Sequence, residues 1–131
     1  LKYTILRSLE EKKYIKSEEG KFYFKVNGWM PIASEVIAIE AKMRDWQRGL
    51  AQVNRYKIFA DKVYLAIPID ISSRVDKSLL KKHNIGLIIF YPQSNIKRVP
   101  LAPRKTRPMD DFKKNLAIEF FWPRLLREFA F

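Results

Sequence analysis

The chain has 131 residues, 47% of them apolar, enough for one continuous core and too few for two. Cysteine is absent, which excludes a disulfide framework and thiolate metal sites and gives an expectation of a cytoplasmic protein. Twenty-six Lys and Arg against fourteen Asp and Glu leave a formal charge of +12, so an anionic partner is expected, with nucleic acid first among them.

Apolar Ile5, Leu6 and Leu9 recur at helical spacing between Tyr3 and Lys13, which predicts a short amphipathic helix. Tyr14-Ile15-Lys16 and Lys21 to Val26 flank Gly20 and read as a β-hairpin. Helix plus hairpin over 1–26 also fits the end of a winged-helix module, so that reading stays open. Asn27-Gly28 marks a turn and Pro31 a loop. Glu35 to Lys42 is then a strand, apolar inside and charged at both ends.

Asp45 is placed to cap a helix running to about Ala60, with Trp46, Leu50 and Val53 on its apolar face. Val63 to Pro68 is a nearly all-apolar strand, so strand, helix and strand form a right-handed parallel crossover. Ser72 or Ser73 starts the next predicted helix, through Leu79, Leu80 and His83, and Ile85 to Tyr91 supplies another buried strand. Pro100 to Pro108 reads as an extended basic loop carrying Arg104, Lys105 and Arg107. A helix follows from Asp110 until Pro123 turns or kinks it, and the aromatic tail over 110–131 either closes the core or joins two copies as a homodimer. No apolar run is long enough to span a bilayer, and no membrane partner is expected.

Residues two apart in a strand leave by the same face, so Glu40 and Lys42 stand side by side while Ala41 faces the other layer. A carboxylate at a strand end holds a hard cation and leaves positions open for water and phosphate. A lysine beside it stabilises developing negative charge or helps deprotonate the attacking water. Glu-x-Lys alone means little, because Glu10-Glu11-Lys12 and Glu19-Gly20-Lys21 share it. Only Glu40-Ala41-Lys42 ends a buried strand and leads into a capped helix. As a mere solvated pair it would contribute only a few tenths of a kcal/mol.

From Glu35 to Tyr91 this pattern resembles the PD-(D/E)XK nuclease superfamily, carried by Glu35-Val-Ile-Ala-Ile-Glu-Ala-Lys42, Asp45-Trp46, Gln52, Tyr56, Phe59-Ala60-Asp61 and the Val63 to Pro68 strand. The resemblance implies a restriction-endonuclease-like mixed β-sheet, antiparallel hairpin plus parallel crossover, flanked by helices in a single domain. It implies hydrolysis of DNA phosphodiesters with Mg²⁺ or Mn²⁺. Glu40 would be the metal-binding acid, the Ala41 carbonyl a further ligand, Lys42 the lysine beside the water, and Gln52 and Tyr56 the helix residues flanking the site.

The chain departs from the family at the first metal ligand, since no Asp occurs between Leu1 and Arg44. Glu35 is the substitute, although its offset from Glu40 puts the two on opposite faces of a regular strand unless a bulge intervenes. Glu10 or Glu11 is the alternative. The DNA backbone would be gripped by Arg44, Arg48 and Arg55 or by Arg104, Lys105 and Arg107. Two other functions fit the same residues: a nucleic-acid-binding module on a scaffold that has lost a ligand, and an interaction subunit of a repair, restriction or mobile-element complex. His83 has no orienting partner in sequence and is left out of the site. Trp29, Trp46 and Trp122 read first as core.

Overall fold

The computed structural model describes the backbone of residues 2–26 and 33–129 and the side chains of 3–26 and 33–121. The Asn27-Gly28 turn, the Pro31 loop and Trp29 lie outside the described residues. The architecture is mixed α/β, in two compact units, Leu1–Ile32 and Ala33–Phe131.

In the first unit, helix α1 (Lys2–Glu11) precedes an antiparallel hairpin of β1 (Ile15–Glu18) and β2 (Phe22–Lys25). Glu19 and Gly20 both take positive φ, 53° and 64°, and the Lys21 N–H donates to the Glu18 carbonyl. Two consecutive left-handed residues give a type I′ turn, whose twist matches that of the strands it joins. Glu10 Oε1 accepts from both the N–H and the hydroxyl of Ser17, tying α1 to β1.

The second unit is built on a four-stranded sheet in sequential order: β3 (Ile37–Ala41), β4 (Lys62–Pro68), β5 (Gly86–Phe90) and β6 (Lys97–Leu101). The first three are parallel and β6 is antiparallel to β5. Helix α2 (Trp46–Tyr56) connects β3 to β4, while a 3-10 turn (Ile69–Arg74) and helix α3 (Lys77–Lys82) connect β4 to β5. Asp45 caps α2 through the Arg48 N–H, as its position before the apolar face predicts. Leu65, Ile67, Leu87 and Ile89 on one sheet face meet Val53 of α2 and Leu80 of α3 in one cluster, all 8% exposed or less. Parallel strands covered in this way read as continuous apolar runs, which is why β4 and β5 were legible.

Five expectations are corrected here. The hairpin forms its own two-stranded sheet instead of joining one mixed sheet with the crossover, and among the described residues β3 pairs with β4 alone. The helix expected from Ser72 or Ser73 is a 3-10 turn followed by α3, whose cap is Asp76. Ser72 Oγ donates back to the Ile69 carbonyl instead of capping forward. α2 stops at Tyr56 rather than about Ala60. Pro100 lies inside β6, which the sequence had as loop; a proline without an N–H is tolerated because β6 is the opposite edge. Finally, α4 (Asp111–Phe129) is one helix across Pro123; Phe112, Leu116, Phe120 and Phe121 of the aromatic tail are exposed, and the side chains beyond Phe121 lie outside the described residues.

Asp61, 3% exposed, ties this unit together from the start of β4. Its carboxylate accepts from the Val36 N–H at 2.7 Å and from Lys114 Nζ of α4 at 2.8 Å and 3.0 Å. Its backbone N–H donates to the Val36 carbonyl, and its carbonyl accepts from the Thr106 N–H. Among the described residues, no helix is long and apolar enough to cross a membrane.

Candidate functional site

Glu40 lies on β3 next to its carboxyl end, with its side chain on the face that packs against α2. Lys42 Nζ reaches back to Glu40 Oε1 at 2.8 Å. The second oxygen, Oε2, accepts from the Tyr56 hydroxyl at 2.5 Å. Both side chains of the ion pair are largely covered, 15% exposed for Glu40 and 23% for Lys42. The bonds from Lys42 and Tyr56 outweigh burial and hold the Glu40 carboxyl below its ordinary range, with Arg55 adding a smaller electrostatic pull. The same bond raises the Tyr56 hydroxyl, and burial raises it further. Glu40 is therefore a carboxylate and Tyr56 a phenol at neutral pH.

Gly49 is what lets α2 come this close. A Cβ there would stand 2.7 Å from Lys42 Cγ and 2.7 Å from Leu65 Cδ1, so the helix rests on the lysine stem and the core at a point where it has no side chain. One turn later, on the Tyr56 flank, Gln52 presents a buried Oε1 that has no hydrogen-bond partner among the described residues. Such an acceptor is costly unless something donates to it or it ligates a cation.

The backbone adds a third oxygen. The Lys42 N–H donates to the Ala66 carbonyl of β4, and peptide groups alternate along a strand, so the Ala41 carbonyl points to the open edge. The Glu40 carboxylate, the Ala41 carbonyl and Gln52 Oε1 are hard oxygen donors of the kind Mg²⁺ takes, the remainder being supplied by water and phosphate. In kind these residues fit that ion. Among the described residues, no three Asp, Glu, His or Cys side chains cluster together.

The structure thus brings together Glu40, Lys42 and Tyr56, with Ala41, Gln52 and Arg55 beside them. Glu35 is not in this group. It precedes β3 and pairs with Lys62 at 3.2 Å and Lys105 at 3.6 Å, about 16 Å of strand away from Glu40. No bulge brings it round, since β3 pairs with β4 in unbroken register from Ile37 to Ala41. Glu10 is bound to Ser17, and Glu11 pairs with Arg7 on the surface of α1.

Arg44 and Arg48 are exposed at the carboxyl end of β3 and the first turn of α2, and Arg55 is exposed near the end of α2. Arg104, Lys105 and Arg107 fall elsewhere, because antiparallel β6 delivers them to the amino end of the sheet. There Asn84 holds the Arg104 backbone, Glu35 pairs with Lys105, and Asp111 pairs with Arg107. His83 is the C-cap of α3, and its carbonyl accepts from Lys57 Nζ. Sequence reasoning missed Gly49, although a glycine inside an amphipathic helix directly after Glu-x-Lys was the available signal.

No family model matches the sequence, and no curated protein matches it. Among solved structures, the chain is similar to a protein of unknown function from Silicibacter pomeroyi, with a TM-score of 0.53 and 16% identity over 95% of this chain and 82% of that one. At that identity the likeness concerns the fold alone.

Proposed function

We propose that the protein has a restriction-endonuclease-like fold and is a metal-dependent nuclease that hydrolyses phosphodiester bonds in DNA. The observation that carries this reading is the Glu40–Lys42 pair at the carboxyl end of a parallel strand, with Tyr56 on the free oxygen of Glu40. Ligands of open α/β sheets gather at that end of the strands. Glu40, the Ala41 carbonyl and Gln52 would hold Mg²⁺ or Mn²⁺, which when bound neutralises phosphate charge and acidifies water.

The remaining work falls to the chain itself. Lys42, fixed by Glu40, stands where charge develops on the phosphoryl oxygens as water adds to phosphorus and the bond to the leaving oxygen breaks. Tyr56 and the Gly49 contact keep Glu40 and Lys42 in place, and Arg44 and Arg48 neutralise neighbouring phosphates. The test is nicking of supercoiled DNA with Mg²⁺ or Mn²⁺. The parent cleaves, and Glu40→Ala and Lys42→Ala each lose at least about a hundredfold, the scale of removing one charge-stabilising group. Variants as active as the parent would dispose of the mechanism.

One observation favours a second reading. Glu40 is the lone carboxylate of the group, since Glu35 is held elsewhere by two lysines. A module that binds nucleic acid without cutting it would show steep salt dependence, no metal dependence, and no cleavage by the parent under either ion.

A further inference from the structure

The row of residues level with Lys42 crosses the whole sheet. Ala41 pairs with Ala66, which puts Lys42 level with Ile67; Ile67 pairs with Ile89, and Ile89 with Arg98. Paired residues project from the same face, so Lys42 and Arg98 leave by one face at one height, three strand spacings or about 14 Å apart. Lys97, paired with Phe90, lies one residue nearer the rim and, as the neighbour of Arg98, leaves by the opposite face of the sheet. Both β6 cations are exposed, and among the described residues neither pairs with a carboxylate. Arg98 Cζ lies 6.0 Å from the centre of the Tyr91 ring, which holds the guanidinium at the rim.

Carboxylates do not cancel this end of the sheet. Glu40 is taken by Lys42 and Tyr56, Asp45 and Asp76 are each spent on a helix cap, and Asp70 stands exposed in the 3-10 turn. We infer that this end is one phosphate-binding face for duplex DNA, in which Arg98 and Lys97 meet the strand opposite the one met by Lys42 and Arg44. A fixed spacing of about 14 Å suits one phosphate on each side of a groove about 12 Å wide. Faces for single strands instead offer aromatic platforms, and the ring at this edge, Tyr91, is already covered by Arg98. The inference rests on the nuclease reading only for the identity of the strand at Glu40.

The test is fluorescence anisotropy in EDTA, with a labelled DNA duplex, the same strand alone and an RNA duplex, across a salt series. The double variant Lys97→Ala/Arg98→Ala should bind duplex DNA at least about tenfold more weakly than the parent, with a salt slope smaller by about 1.8, the release of two phosphate contacts. Its single-strand affinity should stay within about twofold of the parent, as expected for contacts that serve only the second strand. Parent-like duplex binding and slope overturn the inference, as do equal losses on duplex and single strand or a preference for RNA duplex. Glu40→Gln, run for cleavage in parallel, reads the nuclease hypothesis separately: an inactive Glu40→Gln beside a parent-like double variant sinks the duplex face alone. Full activity of Glu40→Gln beside a weakened double variant sinks the nuclease alone.

Discussion

Replacing Asp61 by Ala removes two hydrogen bonds and an ion pair from its carboxylate at once, and the loss can be sized from what remains. Among the described residues, Lys114, 15% exposed, keeps only the Ser34 carbonyl as a hydrogen-bond partner for a covered positive charge, and the Val36 N–H loses its acceptor. Breaking a buried ion pair from one side costs about 3–5 kcal/mol. A unit of this size has about 5–15 kcal/mol in total. With a urea slope of about 1.5 kcal/mol/M, the unfolding midpoint should fall by about 2–3 M.

The pH dependence supplies an independent check. Burial pushes the Asp61 carboxyl up, but the bonds from Lys114 and Val36 and the charges of Lys114 and Lys105 outweigh it, so its folded pKa lies below the unfolded value. A depressed carboxyl contributes stability that is present above the unfolded pKa of about 3.9 and is lost as pH falls through the folded pKa. Parent protein should therefore lose stability in acid, and Asp61→Ala should lack that component. A midpoint shift under about 0.5 M, less than about 1 kcal/mol, or an unchanged acid slope, refutes the reasoning.

Tyr56→Phe deletes the donor to Glu40 Oε2, so the Glu40 pKa should rise towards its ordinary value in a ¹³C-carboxyl NMR titration; no rise would show that Lys42 alone sets it. Gly49→Ala forces a methyl into Lys42 and Leu65, an overpacking cost of about 1–3 kcal/mol that exceeds the helix-propensity gain of about 1. Chemical denaturation should show net loss, and nicking activity should fall with the displaced Lys42; a stabilised, fully active variant contradicts the close contact.

The β3–α2–β4 unit was legible because its signals are local. Asp45 precedes an apolar face at helical spacing, β4 is apolar throughout, and strand alternation alone puts Glu40 beside Lys42. Glu35 failed for the same reason read in reverse: it lies five positions before Glu40, ahead of a β3 whose register is unbroken from Ile37 onward. What was missed depends on distant partners. Asp61 can be buried only because Lys114, far along the chain, comes to meet it, and no local pattern announces such a pair. Lys97-Arg98-Val99-Pro100 does not read as a strand, yet pairing with β5 makes it one. That pairing also reverses the chain, sending Lys105 and Arg107 away from Glu40 and leaving Lys97 and Arg98 near its level.

Among the described residues, β3 is hydrogen-bonded on one side only. Strands held in this way open at lower free energy than the global unfolding cost, independently of the core behind them. The amide protons of Glu40 and Lys42, turned toward β4, should then exchange ahead of those in β4 and β5, through a local detachment of one strand. What fastens its amino end is the Val36 clamp made by Asp61. A lesion at Asp61 would therefore loosen Glu40 from a distance, and the Glu40–Lys42 pair would come apart at temperatures where the circular dichroism still looks native.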